Sequence, residues 1–472
     1  MSGSPPPLLD NATRDLAQFA AALRYEDIPR EVVERIKTCV LDSIGCCLFG
    51  ATLPWTQHVQ ALVEDEGAKR VASIFGSGRR TSVSQAVLVN STAGHAFELD
   101  DIHKESIVHP GSLAMPVAIA FAEAAGGAPG RDVITGMTAG YEVGARVGNA
   151  ATMSLFLRGF HPQGTSGAFV AAATAARMLN LDAAQTRHAL GIVGSQAGGL
   201  MAAQEGAMVK RFHSGRAAQS GVYSALLARR GFTGITDVLE APYGGYLSTY
   251  SGNPDPQRLT AGLGTVWETL NVGYKPHASV TSIHTALDAL AAIMREHKLC
   301  ADDIAEVDAG LSHMTHVHCA WEYQAQGVTA AQMNLYYGLA VIALDGLAFV
   351  DQYREDRLRD PKILDFIKRI RAHVDTEIEG MGAAFRHAAR MTVKTRDGRE
   401  FKREILHRRG SPENPLKPED IEYKFRHVAG ACLSRPRIDR VMKLAAALDT
   451  LDSTAELIGI LAARRTGSRA RR

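Results

Sequence analysis

The stretch HAFELDDIHKESIVHPG, residues 95–111, puts three histidines and four carboxylates into seventeen positions and then breaks on Pro110 and Gly111. Carboxylates this close cannot all ionise freely in a buried site. One of Glu98, Asp100 and Asp101 could therefore hold a proton near neutrality and act as a general acid or base. Helical spacing would give Glu98 and Asp101 one face and Asp100 and His103 the adjacent one, with His109 at the turn. The same residues at a solvated helix end would do no chemistry, and the pattern alone leaves both readings open.

A second cluster, GAMVKRFHSGRAAQSG at 206–221, crowds Lys210, Arg211, His213 and Arg216 between glycines at a predicted helix start, where the helix amino end itself favours an anion. A substrate carboxylate is the natural occupant. The strongly apolar flanks weigh against an ordinary basic surface loop, and the spacing is not that of a phosphate-binding P-loop. YKPHASVTSIH, 274–284, carries Lys275, His277 and His284 at a predicted domain border, where clefts form, although a histidine there can equally be a satisfied core residue. His161, in GFHPQGTSG, would bind substrate or cap the next helix. In HMTHVHCAW, 313–321, strand alternation would place His316 and His318 on one face, as a zinc site needs. No cysteine or carboxylate partner stands at a fixed distance, and the spacing in 95–111 fits no standard metal motif. No metal is expected.

These clusters need elements to position them. At 472 residues the chain exceeds one ordinary hydrophobic core, so two domains are expected. From residue 12 to about 270 the sequence is rich in Ala, Leu and Gly with helical periodicity. In the helix expected between Asp27 or Pro29 and Gly50, for example, Val33, Ile36, Val40, Leu41 and Ile44 recur three or four apart. Segments 112–126, 167–179 and 217–230 carry small residues on several faces, which predicts helices packed closely and buried nearly all round. Past about 272 the texture changes. Residues 304–312 and 389–406 alternate as strands, the second with a hairpin turn at Asp397 and Gly398, and 281–297, 329–345 and 361–373 read as helices. Helix returns at 419–429 and 435–463. The expected fold is mostly α: a large all-helical domain of 15–272 plus 419–463, with a smaller α+β lid domain, 273–418, inserted. Residues 1–14 and the basic 464–472 are expected to be disordered ends.

Composition narrows the partners. Charged residues are 22 % and the net charge is +2, which argues for neither nucleic acid nor a membrane surface. Six scattered cysteines suit buried thiols in a reducing compartment. With no secretory signal and no window near eighteen uninterrupted apolar residues, a soluble cytoplasmic protein is expected.

At these same clusters the chain resembles the MmgE/PrpD family, which includes 2-methylcitrate dehydratase, cis-aconitate decarboxylase and iminodisuccinate epimerase. The resemblance spans roughly residues 15–463. It rests on HAFELDDIHKESIVHPG, GFHPQGTSGAF, GSQAGGLM, GAMVKRFHSGRAAQSG followed by APYGGY, KPHASVTSIH, the HCAW segment, AAQMNLYYGLAVIALDG and GSPENPLKPEDIEYKFRHVAG. Within the family, DIPREVVERIKTCVLDSIGCCLFGATLPW and the FELDD form are most similar to the fungal cis-aconitate decarboxylase type. The resemblance implies a helical domain with an inserted α+β lid, a homodimer, and chemistry on small di- and tricarboxylic acids without metal or organic cofactor. It carries the family's acidic motif onto Glu98, Asp100 and Asp101, its following histidine onto His109, its basic loop onto Lys210 and His213, and its lid histidine onto His284. Two departures bear on substrate choice. Many members have Asp where Glu98 stands; others have small or cysteine residues where Ser279 and Val280 stand, and some decarboxylases use a histidine near that point, for which His277 is the nearest candidate.

The combined expectation is a cofactor-independent lyase that decarboxylates cis-aconitate or a related polycarboxylate. His109 with Glu98 and Asp101 would exchange a proton at carbon, while Lys210 with Arg211 or Arg216 and helix-end amides holds the substrate carboxylates. His284 or His277 would complete the site on closure, and Asp100, His103, His161, His213 and Lys275 would line it. The alternatives are a 2-methylcitrate dehydratase, an epimerase of an iminodisuccinate-like acid, and a catalytically silent binding scaffold.

Overall fold

A computed structural model describes residues 11–464. The amino terminus through residue 10 and the basic tail from 465 lie outside the described residues. Residues 12–14, expected to belong to a disordered end, instead open the helix Ala12–Ala22.

The fold is mostly α. Small residues let its helices approach to backbone contact, as the alanine and glycine content predicts. The helices Arg30–Gly50, Val83–Gly94, Gly111–Ala124, Gly130–Leu157, Gly167–Met178 and Val209–Ala228 enclose one large hydrophobic cluster. At Gly50 a Cβ would fall 1.9 Å from the Ala93 carbonyl oxygen, so only glycine permits this crossing. The carboxy-terminal helices Pro418–Ala429 and Arg435–Ala446 pack on Arg30–Gly50, and Phe425 and Val428 close over Gly45.

A second hydrophobic cluster gathers around a four-stranded sheet. Its strand order is Ile370–Val374, Ile304–Leu311, Ala389–Thr395, Glu400–Ile405; the first pair runs parallel and the others antiparallel. The helices His284–His297 and Leu335–Asp345 belong to this cluster, and Phe97 and Leu99 from the acidic stretch join it. The hairpin at Asp397 and Gly398 forms as expected, with Gly398 at φ 89°.

Several boundaries differ from the sequence reading, each for a local reason. The expected helix 361–373 ends at Ile367, and Ile370–Val374 becomes a strand in which Ile370, Ala372 and Val374 alternate with Arg371 and His373. Residues 313–321 are not a strand. Ser312 caps the helix His313–Cys319 by accepting from the Thr315 amide at 3.2 Å, and two-residue spacing on a helix turns His316 and His318 to different faces. The expected helix 329–345 breaks at Asn334, which caps Leu335–Asp345, and 435–463 divides into Arg435–Ala446, a short turn of helix and Ala455–Ala462. The helix before the acidic stretch stops at Gly94, so residues 95–101 have no helical faces at all. They run as a loop into the two-residue strand Ile102–His103, paired with Val272–Gly273.

No single helix among the described residues is long and apolar enough to cross a membrane; the helices Arg30–Gly50 and Pro54–Glu66 pass such a test only as a pair bent by 82°. Five of the six cysteines are buried and Cys300 is exposed.

Replacing Gly50 by Ala should lower the urea midpoint of unfolding by the equivalent of about 1–3 kcal/mol, since the opposing atoms are backbone. Gly459→Ala, in a helix with nothing within 4 Å of the added methyl, should leave the midpoint unchanged or raise it.

Candidate active site

Ending the helix at Gly94 frees the chain to turn Glu98 inward. Glu98 takes φ 54°, a left-handed conformation that costs a non-glycine residue about 1–3 kcal/mol and persists where the surroundings enforce it. Its buried carboxylate accepts from Lys210, from Arg211 at 2.6 Å and from Lys275 at 3.0 Å. Burial works against the charge on Glu98, but these three cations outweigh it and hold the carboxyl well below its ordinary range. Burial, with Arg211 and Lys275 nearby, pushes Lys210 down to about 8 despite Glu98. Arg211 also donates to Gln332 at 3.1 Å, and Gln332 in turn donates to the carbonyls of Phe97 and Ala278, so the cluster ties together segments far apart in sequence.

Lys210 and Arg211 lie in the first turn of Val209–Ala228. Their amides do not face a ligand, as had been expected of the helix end; they donate to the Ala207 and Met208 carbonyls. The side chains alone supply the positive charge, which the helix amino end makes less comfortable without an anion nearby.

Asp100 stands between two imidazoles. Its Oδ2 is 2.8 Å from His95 Nδ1 and its Oδ1 3.4 Å from His109 Nδ1. Burial opposes its ionisation, yet His109 and His95 hold it well below the ordinary carboxylate range. Burial pushes His95 down to about 3, so it meets Asp100 as a neutral donor. The backbone of His109 is clamped by Gln163, which accepts from its amide at 2.8 Å and donates to its carbonyl at 3.1 Å. His161 and His213 face each other at 2.9 Å through Nδ1; burial lowers both, His213 to about 4.

Asp101, one residue on, is spent differently. It accepts from the Gly111 amide at 2.9 Å and from the Tyr141 hydroxyl at 2.7 Å, and so fixes the turn that follows His109. Gly111 is required there, because a Cβ would sit 2.2 Å from Ser43 Oγ and 2.8 Å from Asp101 Oδ1. Burial and the neighbouring Asp42 push the Asp101 carboxyl up to about 7.

A cavity of about 70 Å³ opens onto Glu98, His109, His161, Lys210 and Lys275, which joins five of the expected residues. Lys104, Gln204, His318, Arg386 and His387, absent from the expected site, line it as well. Lys104 lies inside the acidic motif itself, and His318 drew notice only as a metal ligand. Arg386 and His387 carry no signal beyond their place just before a predicted strand.

The other expected residues lie elsewhere. Arg216 is exposed and donates to Gln219. His103 pairs with Glu268 at 3.0 Å and accepts from the Ser106 amide. His277 pairs with Asp288 at 3.0 Å, His284 donates to the Ser279 carbonyl at 3.1 Å, and neither ring lines the cavity. Arg211 and Asp100 stand just behind its wall, holding Glu98 and His109. Among the described residues, one set of groups has the geometry to hold a cation: ligand atoms of His95, Asp100 and His109 lie within 4.8 Å of one another. The Asp100 oxygens in that set already face the two rings.

Asp101 gives a pH prediction. Between pH 3.8 and about 7 the folded chain holds a proton on this group that the unfolded chain has released, so its contribution to stability falls as pH rises through that window. In Asp101→Asn that component is absent. The loss of urea midpoint between about pH 5 and pH 8 should be smaller in the variant than in wild type, and an equal loss would refute the raised pKa.

Comparison with known proteins places this arrangement. Residues 14–259 match the MmgE/PrpD N-terminal domain and residues 277–449 the MmgE/PrpD C-terminal domain. The chain is similar to cis-aconitate decarboxylase-like protein oryM of Aspergillus oryzae, at 30 % identity covering 96 % of this chain and 97 % of that protein. It is 32 % identical to cis-aconitate decarboxylase of Aspergillus terreus, covering 95 % of each, and 25 % identical to that of Homo sapiens, covering 96 % and 95 %. With both family models matched and relatives aligned over nearly the whole length, the chain is a lyase and belongs to the MmgE/PrpD family.

Proposed function

We propose that the chain decarboxylates a small unsaturated tricarboxylic acid, with cis-aconitate the first candidate, and does so without metal or organic cofactor. The observation that carries this reading is the charge around the cavity. Lys104, Lys210, Arg211, Lys275 and Arg386 meet two carboxylates, Glu98 and Glu105, an excess of three positive charges beside a buried histidine–carboxylate pair. A small tricarboxylate supplies the negative charge that this excess calls for. The relatives' names agree with it.

In this mechanism Lys210, Lys275 and Arg386 hold the substrate carboxylates. The bond from the CH2 carbon to its carboxylate breaks and CO2 leaves. The electron pair forms a new CH2=C bond, and the former double bond delivers its pair to the carbon next to another carboxylate. That carbon takes a proton from His109, whose Nδ1 faces Asp100 and whose Nε2 is left for the cavity. The enolate-like charge in between develops against fixed cations, the arrangement that lowers such a barrier most. Glu98 is held ionised by three cations and Asp101 is occupied by Gly111 and Tyr141, so neither moves the proton in this scheme: Glu98 positions the cations and Asp101 positions the turn. Closure of the segment around 273–418, which brings Lys275 and Arg386, would exclude water.

Incubation with cis-aconitate, 2-methylcitrate and iminodisuccinate in deuterated water, followed by proton NMR, tests the reading. Loss of CO2 from cis-aconitate with one deuteron at carbon is expected, before and after chelator treatment. Deuterium without net product would favour an epimerase, water addition or loss a dehydratase, and no exchange a silent scaffold. His109→Ala should abolish turnover with the helical circular dichroism intact. Lys210→Met should raise KM by about 10- to 100-fold, the range for a lost hydrogen bond to a charged group. Because Lys210 loses its proton at about 8, wild-type KM should rise above that pH while the variant's stays flat.

A further inference from the structure

Three stretches of the sequence, GFHPQGTSG, GSQAGGLM and GAMVKRFHSG, meet at a contact between His161 and His213 that the scheme above leaves without a task. We propose that His213 is a positioning residue: its Nδ1–H donates to His161 Nδ1, which forces the single proton of the neutral His161 ring onto Nε2 and turns an N–H donor toward a substrate carboxylate. This rests on the reading of the cavity as a carboxylate site and deepens it to the protonation of one of its walls.

The backbone is built around this contact. The His161 amide donates to the Gly199 carbonyl at 3.0 Å and the Gly198 amide to the Gly164 carbonyl at 3.1 Å, so the first two stretches run against each other. They cross at glycines: a Cβ at Gly164 would fall 2.1 Å from the Gly198 carbonyl oxygen, and one at Gly199 would fall 3.2 Å from both Cγ and Nδ1 of His213. The slot that remains takes the imidazole of His213. That residue follows Lys210 by three positions on the helix Val209–Ala228, so the two share a face. The two Nδ1 atoms end 2.9 Å apart.

A neutral imidazole carries one N–H and one lone pair, and a bond between two ring nitrogens uses one proton. Burial holds His161 well below the ordinary histidine range, and Lys210, His95, His213 and His109 around it work in the same direction. Burial and Lys210 bring His213 to about 4, so near neutrality both rings are uncharged. His161 Nδ1 is spent on His213, which leaves Nε2 for the cavity that the ring lines. Were the shared proton on His161, its Nε2 lone pair would face the substrate carboxylate and repel it. With that proton on His213, Nε2–H faces the carboxylate instead. A bare nitrogen also costs less on the half-buried His213 than on the buried His161. The enolate-like charge then meets a fixed donor without a further cation beside Lys210 and Lys275.

The test compares the full chain with His213→Asn and His213→Leu. The two new side chains have the same branched shape and both give up the ring, but only Asn keeps an N–H near the position of Nδ1. Binding of tricarballylate, which lacks the double bond and cannot react, is measured by calorimetry. Its affinity should fall about 10- to 100-fold in His213→Leu and stay within about threefold of wild type in His213→Asn, the difference expected for one hydrogen bond to a charged group. The kcat/KM for cis-aconitate should follow the same order. In nitrogen-15 NMR of histidine-labelled protein with tricarballylate bound, the signals that vanish in His161→Ala should show a protonated Nε2 and a bare Nδ1. Equal affinities in all three proteins, equal losses in both variants, or a proton on His161 Nδ1 overturn the proposal and leave the decarboxylase reading standing. If no protein turns over cis-aconitate but tricarballylate still separates Asn from Leu, the reaction is refuted and the role of His213 is kept.

Discussion

The site is organised by a single buried carboxylate. Glu98 meets Lys210 and Arg211 from one helix and Lys275 from the segment after the short strand Val272–Gly273, while its neighbours Phe97 and Leu99 pack into the core around the four-stranded sheet. Three buried cations this close would repel one another and pull the two hydrophobic clusters apart. One carboxylate makes their convergence tolerable, and removing one partner from a buried ionic cluster typically costs about 3–5 kcal/mol because the rest are left uncompensated. The left-handed backbone at Glu98 is therefore held by an interaction stronger than the strain it carries. A glutamate reaches one methylene further than an aspartate would from the same loop, which lets it touch cations on both sides.

Two adjacent aspartates show how environment assigns roles to identical groups. Asp100 faces two imidazoles and stays ionised. Asp101 faces Tyr141 and the Gly111 amide with Asp42 close by, and its affinity for protons rises. The first orients His109 through its ring; the second fixes the backbone just beyond it. Gln163 adds a clamp on the His109 peptide, so the histidine is constrained from three directions before any ligand arrives.

Close packing of small residues underlies that precision. Where Gly50 crosses Ala93 and Gly111 crosses Ser43, helices meet at distances no side chain would allow, and the loop 95–111 is stretched between them. Rigid helices on one side and a sheet with its own core on the other leave room between them for the charged cavity.

By itself the sequence determined the mostly helical class, the hairpin at Asp397 and Gly398, and the concentration of charge at 95–111, 206–221 and 274–284. Periodicity, turn chemistry and unexpected polarity are local properties, and a single chain displays them. It did not determine that the acidic stretch leaves the helix at Gly94, that 370–374 is a strand or that 313–319 is a helix, because caps and strand partners overrode the local pattern. Nor did it separate Glu98, Asp100 and Asp101, or turn His277, His284 and Arg216 away from the cavity while bringing Arg386 and His387 to it. Which side chain faces a cavity depends on partners hundreds of residues distant. The charge each one carries depends on burial and on the company that only the folded chain provides.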